Sequence, residues 1–257
     1  MKRIALVSGA NQGMGKHVAK ELVSDGITVY VGTRDLARGA KAAAEIGGGA
    51  TALQLDVTDE VSITSAAQRI HEEAGQLDLL VNNAAISTTR TDVRDMAELR
   101  ELSTASRAPI DEVRAVWEVN VFGPLAVYQV MLPLLRNSSD ARIVNVTSAV
   151  GSLTTIADPA FPYHSAFEPI YAASKAALNA VTLAMLVEGR WRDAAVGRNP
   201  GVGATRRGSE GTLRDHNCVL GGRHHGRRPG CGGRRDLFLL APGAVLRMRT
   251  PTAVRIS

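Results

Sequence analysis

Cysteine is almost absent from this chain of 257 residues, which holds only Cys218 and Cys231. Two thiols cannot build a disulfide framework, so a reducing, cytoplasmic compartment is expected. No run of 18 or more apolar residues occurs, so no membrane span is expected. The N-terminus enters a strand-like run directly, with no apolar h-region or cleavage site, so no secretory signal is expected either. There is no internal repeat. At this length one domain can bury a sizeable core.

What the chain does have is an alternation of two periodicities. Short apolar, β-forming runs fall at 3–8, 27–32, 51–55, 77–82 and 141–147, and helix-period stretches lie near 13–25, 35–46, 59–74, 110–136 and 170–188. Such alternation predicts an α/β fold, a doubly wound parallel sheet of Rossmann type in a single domain. Ligands of such sheets bind at the carboxyl ends of the strands. Ser8, Thr33, Asp56, Asn82 and Ser148 fall at those ends.

Between the first strand and the first helix the chain reads SGANQGMG, with Gly9, Gly13 and Gly15. A glycine-rich turn opening a helix gathers backbone N–H groups and the positive end of a helix dipole, which suits a diphosphate. The spacing is G-x-x-x-G-x-G rather than G-x-G-x-x-G, with the same mechanics. Further along, YAASK places Tyr171 and Lys175 one helical turn apart on one face. An ammonium beside a phenol favours the phenolate, so the Tyr171 pKa is expected to fall from its usual value of about 10 towards neutrality. That would give a proton donor or acceptor usable near pH 7.

These segments, in this order, resemble the short-chain dehydrogenase/reductase family over residues 1 to about 189. SGANQGMG (Ser8, Gly9, Asn11, Gly13, Met14, Gly15) resembles its cofactor loop, with Ser8 where Thr is usual. LDVTD puts Asp56 and Val57 at the adenine-contacting position. VNNAA, with Asn82 and Ala84, resembles a strand-end Asn-Asn-Ala-Gly motif, Ala85 replacing Gly. EVNVFG carries Asn120, IVNVTS carries Ser148, and YAASK carries the Tyr/Lys pair. The resemblance implies NADP-dependent carbonyl reduction. Tyr171 would protonate the carbonyl oxygen, Lys175 would hold the nicotinamide ribose, Ser148 would hydrogen-bond the carbonyl, and Asn120 would hold a water of the proton relay. The alternative is a cofactor-binding but inactive protein with a damaged C-terminal third.

Cofactor choice rests on VYVGTRD at the end of the second strand. An acid there would bind a ribose 2′-hydroxyl and repel a 2′-phosphate. Thr33 takes that place and Arg34 follows, offering a planar fork to phosphate, so NADPH is favoured. The competing reading is a solvated Arg34 blunted by Asp35. Ser148 and Tyr171 are separated by 22 residues, a longer gap than the family usually shows. The segment resembles the insertion of the carbonyl-reductase-like branch, which implies a monomer and a wall for an apolar, small-molecule carbonyl substrate.

Residues 190–257 break with this pattern. They hold 14 Arg, no Lys and four acids, and 12 of the chain's 25 glycines. They therefore carry +10 while the whole chain carries +5. A shifted reading frame in a GC-rich gene, beginning near Arg190, accounts for an Arg/Gly/Pro/Ala bias; a divergent or disordered tail is the alternative. NPGVGAT (Asn199–Thr205) resembles the family's nicotinamide-contacting turn, and DLFLLAPGAVLRM could supply one late strand or a hairpin to a sheet otherwise ending at its fifth strand. The arginines could meet nucleic-acid phosphates, but without interleaved aromatics no specific nucleic-acid partner is expected. His216, Cys218, His224, His225 and Cys231 fit no zinc spacing, so no metal site is expected.

Overall fold

The computed structural model describes residues 2–93, 95–195, 237–240, 246–247 and 255–256. The element order is β1 (Ile4–Ser8), α1 (Gly13–Ser24), β2 (Thr28–Thr33), α2 (Leu36–Ile46), β3 (Ala50–Gln54), α3 (Glu60–Ala74) and β4 (Leu79–Asn82). It continues with α4 (Met96–Leu102), α5 (Ile110–Trp117), α6 (Gly123–Asn137), β5 (Arg142–Val146), α7 (Leu153–Ala157), α8 (Tyr171–Ala195), β6 (Leu237–Leu240), β7 (Leu246–Arg247) and β8 (Arg255–Ile256). Six strands form one sheet in the order β3-β2-β1-β4-β5-β6, all of its pairings parallel. The order reverses between β1 and β4, which opens a crevice at their carboxyl ends.

The period-2 alternation of the strands sorts their side chains into two cores. Leu6, Tyr30, Leu53 and Leu80 pack with Ile63 and Ile70 of α3 and Val127 and Met131 of α6. Ala5, Val7, Val29, Val31, Leu79 and Val81 pack on the other face with Val18 and Leu22 of α1 and Ala42 and Ala43 of α2. Aspartates cap α2, α3 and α4. The Asp35 carboxylate accepts from Arg38 N, Asp59 from Val61 N, and Asp95 from Ala97 N and Glu98 N.

The expected strands and helices recur within about two residues of their expected ends, except that α8 runs past 188 to Ala195, and α4 and α7 are additions. The helix expected over 110–136 departs from regularity. It is broken by a π-helical turn, Glu118–Phe122, between α5 and α6. The stretch Ile110–Asn137 is, among the described residues, the one long and apolar enough to cross a membrane, with mean hydropathy 1.3. Half of that window is buried, through side chains such as Val116, Val121, Val127, Met131 and Leu135.

The sheet does not stop at its fifth strand. β6 pairs with β5 in the register Ile143↔Leu237 to Val146↔Leu240, so LFLL covers the edge expected to stay open. An apolar run signals a strand but not its neighbour, which is why its place was not fixed by pattern alone. β7 and β8 form a short antiparallel ladder. Asn199–Thr205, both cysteines and the tail histidines lie outside the described residues.

Candidate active site

The turn after β1 is shaped by close approach. Gly9 has φ +64, and a Cβ there would lie 2.9 Å from Ala84 Cα. A Cβ on Gly15 would lie 2.4 Å from Asn83 Nδ2 and 2.6 Å from Gly9 O. Gly13 has φ +55 with open space beside it. The N-cap of α1 is Gln12, which makes no side-chain cap bond, in contrast to the aspartates that cap α2, α3 and α4. The N–H groups of Gly13, Met14 and Gly15 at the start of α1 are thus left to a ligand, with Asn11 exposed only in part beside them. This cradle, pressed down and uncapped, fits a diphosphate.

Ser8 serves the fold rather than the open crevice. Its hydroxyl is buried, accepts from Asn83 N and Ala84 N at 3.0 Å each, and donates to Val81 O at 3.4 Å. Asn83, which sequence reasoning passed over, braces the turn from below by donating to Ser8 O at 2.9 Å and Gly9 O at 3.2 Å. Only the Asn-Asn pair at the strand end hinted at it. Asn82 is buried and donates to Asn145 Oδ1 at 2.8 Å; Asn145 in turn donates to Thr182 Oγ1 at 2.8 Å. A polar chain therefore ties β4 and β5 to α8 beneath the site. Asn82 joins this frame through its Nδ2 alone, and its buried Oδ1 has no partner among the described residues.

At the end of β2, Thr33 is buried and Arg34 is exposed. Asp35 is taken up by α2: it caps the helix and pairs with Arg38 at 3.3 Å. Arg34 makes no ion pair among the described residues and stands as an exposed charge, while the Asp35 carboxylate is engaged by α2. Asp56 accepts from Thr58 N at 3.0 Å and Thr58 Oγ1 at 2.7 Å, through one carboxylate oxygen. Buried Val57 lies against Gly123, where a Cβ would come within 2.8 Å of it.

The four residues expected to carry the chemistry converge on the carboxyl end of β5 and the start of α8. Ser148 sits at the N-cap position of the turn Ala149–Gly151 yet makes no cap bond. Its hydroxyl lies beside the Tyr171 phenol, where it favours the phenolate. Lys175 is buried, donates to Val146 O at 3.0 Å and lies 5.7 Å from the centroid of the Tyr171 ring. Asn120 is fully buried within the π-turn. It accepts from Ile86 N at 2.9 Å and donates to Ile86 O at 2.8 Å and to Ser174 Oγ at 3.0 Å. Both of its amide protons are used, so the side chain docks the segment after β4 onto α8. A π-turn at this point is a common device for re-aiming such a residue.

The charge expectation for the pair is reversed. Burial raises the Tyr171 pKa above its ordinary value; the Ser148 hydrogen bond opposes this, and the Glu168 carboxylate adds to it. Burial also pushes the Lys175 ammonium down to about 8. Helical spacing brought the groups together but says nothing of their desolvation, which here outweighs mutual attraction.

A family model for the short chain dehydrogenases matches residues 3–207. The chain belongs to the short-chain dehydrogenase family. It is 36% identical to a short-chain dehydrogenase of Penicillium roqueforti over 190 residues, 70% of each chain. It is 35% identical to (+)-neomenthol dehydrogenase of Arabidopsis thaliana over 169 residues, which are 60% of this chain and only 56% of that protein. The solved salutaridine reductase of Papaver somniferum superposes with a TM-score of 0.59 at 28% identity, covering 73% of this chain and 82% of that one. This short-chain dehydrogenase is accordingly an oxidoreductase of a family that uses nicotinamide cofactors.

The long connection from Ser148 to Tyr171 is folded rather than loose. It contains α7 and a turn, His164–Ala166, and is closed by a 2.7 Å bond between His164 Nδ1 and Ile156 O. Trp117 Nε1 anchors its far end by donating to Pro169 O at 3.0 Å. Leu153, Tyr163 and Phe167 remain exposed on it.

Proposed function

We propose that this short-chain dehydrogenase reduces the carbonyl of a small apolar ketone or aldehyde to an alcohol, with NADPH as its cofactor. The observation that carries the reading is the convergence of Ser148, Tyr171 and Lys175 beside an uncapped glycine cradle. The N–H groups of residues 13–15 would hold the diphosphate, Arg34 the 2′-phosphate, Asp56 and Val57 the adenine, and Lys175 the nicotinamide ribose, through ammonium protons its bond to Val146 O leaves over. Bound NADPH supplies a hydride to the carbonyl carbon.

The chain's own residues then handle the oxygen. Ser148 donates to the substrate oxygen and fixes its distance from Tyr171. Tyr171, neutral at pH 7, gives its proton to that oxygen as the C=O π bond breaks, and the phenolate left behind regains a proton from solvent. Buried Lys175 stabilises the transient phenolate. Leu153, Tyr163 and Phe167, on the segment between Ser148 and Tyr171, support an apolar substrate wall.

Tyr171→Phe tests this. NADPH binding should persist while ketone reduction falls by about 100-fold or more, since a general acid is lost. Near-normal turnover in that variant overturns the assignment. Nucleotide binding by the parent with no turnover on a broad ketone panel favours the inactive alternative.

A further inference from the structure

Three residues ahead of α8 stands a carboxylate that no part of the proposed chemistry uses. Glu168 folds over the helix N-terminus. Its two oxygens accept from Ile170 N at 2.5 Å, from Tyr171 N at 2.9 and 3.1 Å, and from Ala172 N at 2.7 Å. Glu168 O also accepts from Ala173 N at 3.0 Å. Three successive N–H groups, including that of Tyr171 itself, thus point into one carboxylate. An uncapped helix start would carry about half a positive charge and would favour a phenolate at its first residue. Here that charge is quenched by a full negative one.

We propose that Glu168 is a positioning residue for Tyr171, fixing the first turn of α8 and holding the phenol in its protonated form. The inference rests on the reading of Tyr171 as the proton donor. Two observations bear on the charge half of it. The groups acting on the phenol are Ser148, ahead of the turn after β5, and Glu168, while Lys175 lies 5.7 Å from the ring centroid and donates one of its protons to Val146 O. Of these, Glu168 alone combines a formal negative charge with a bond to Tyr171's own backbone. The Ser148 hydroxyl favours the phenolate and Glu168 opposes it. A Gln here has the same reach and can meet N–H groups through its amide oxygen without that electrostatic effect, whereas a shorter Ser or Asn would meet only one or two of them. The geometry therefore favours a charged cap that keeps the acid loaded between turnovers.

The test uses the full chain with Glu168→Gln and, as a second variant that keeps a neutral cap, Glu168→Ser. Phenolate absorbance is followed from pH 7 to 11, and the transition absent from Tyr171→Phe protein is assigned to Tyr171. Removing the charge should move that transition to lower pH by about half to one unit, the scale of a helix-terminus charge effect. A cap of purely structural importance would lower the melting temperature and leave the titration where it is. Superimposable Tyr171 titrations in the parent and both variants overturn the proposal. Because the readout needs no turnover, absence of reductase activity would sink the proposed function without touching this inference. If activity is present, the pH profile of ketone reduction should lose its alkaline limb earlier in Glu168→Gln.

Discussion

Lys175→Met should make this protein more stable at pH 7 while abolishing its chemistry. The ammonium is 2% exposed and makes one bond among the described residues, to Val146 O at 3.0 Å. Burial moves its pKa from 10.5 to about 8, and at 1.36 kcal/mol per unit this corresponds to a penalty of about 3 kcal/mol for keeping the lysine charged in the fold. Methionine fits a similar volume without a charge, at the loss of one hydrogen bond worth about 1 kcal/mol, which leaves a net gain of about 2 kcal/mol. The pH dependence identifies the cause. Between pH 8 and 10.5 the unfolded lysine binds a proton that the folded one has released. Parent stability should therefore rise by about 1.4 kcal/mol per pH unit relative to the variant, and the variant's advantage should vanish near pH 10. Urea unfolding of both proteins at pH 7, 8.5 and 9.5 measures this. A variant less stable than the parent at pH 7, or an advantage that does not change with pH, refutes the reasoning.

Arg34→Ala should weaken NADPH binding by about 10- to 100-fold and leave NADH nearly unchanged, a loss of about 1–3 kcal/mol for one charge-assisted contact; equal affinity of the parent for the two cofactors by calorimetry would remove the basis for it. Gly9→Ala should cost about 1–3 kcal/mol in thermal unfolding, because φ is +64 and the new Cβ meets Ala84 Cα at 2.9 Å. The same substitution should lower nucleotide affinity by pushing the turn off its brace, whereas an unchanged melting temperature would mean the turn can relax freely. Asn120→Ala leaves Ile86 N and O without their partner, so the fold should lose about 2 kcal/mol or more of stability and kcat should fall with it. Intact stability with reduced kcat would instead point to a direct role for the side chain in the relay.

Much of the frame is legible because it depends on neighbours in sequence. Apolar alternation marks the strands, and aspartates ahead of apolar periodicity mark the starts of α2 and α3. The register of Tyr171 over Lys175 follows from helical spacing alone. What escaped depends on partners far away in the chain. The hydroxyl of Ser8 meets Asn83 and Ala84, 75 and 76 residues on. Asn120 meets Ile86 34 residues back and Ser174 54 residues ahead. Nothing local distinguishes a serine that binds a ligand from one that ties two strand ends together. The π-turn is equally silent in the pattern, since Glu118–Phe122 keeps an apolar helix period on both sides. LFLL at 237–240 reads as a strand, but its pairing with β5 joins it to an element about 95 residues earlier.

The sign of the Tyr171 shift carries the deeper lesson about such sites. A Tyr-x-x-x-Lys pair invites a picture in which the ammonium draws the phenol towards ionisation, and in water-exposed pairs Coulomb attraction does decide the outcome. Here both groups are withdrawn from water, and burial disfavours the charged form of each. The phenol is raised and the ammonium lowered, so desolvation favours the neutral form of both members. Glu168 adds to the effect on the phenol, and the Ser148 hydroxyl is the local group that opposes it. A tyrosine kept protonated is the form a carbonyl oxygen needs as it gains electron density. A lysine with a pKa near 8 is still mostly charged at pH 7, and it can respond to a phenolate only when one forms. The arrangement therefore concentrates its electrostatic help on the moment of proton transfer rather than on the resting pair, and that is the property by which binding energy speeds a reaction instead of only tightening a complex.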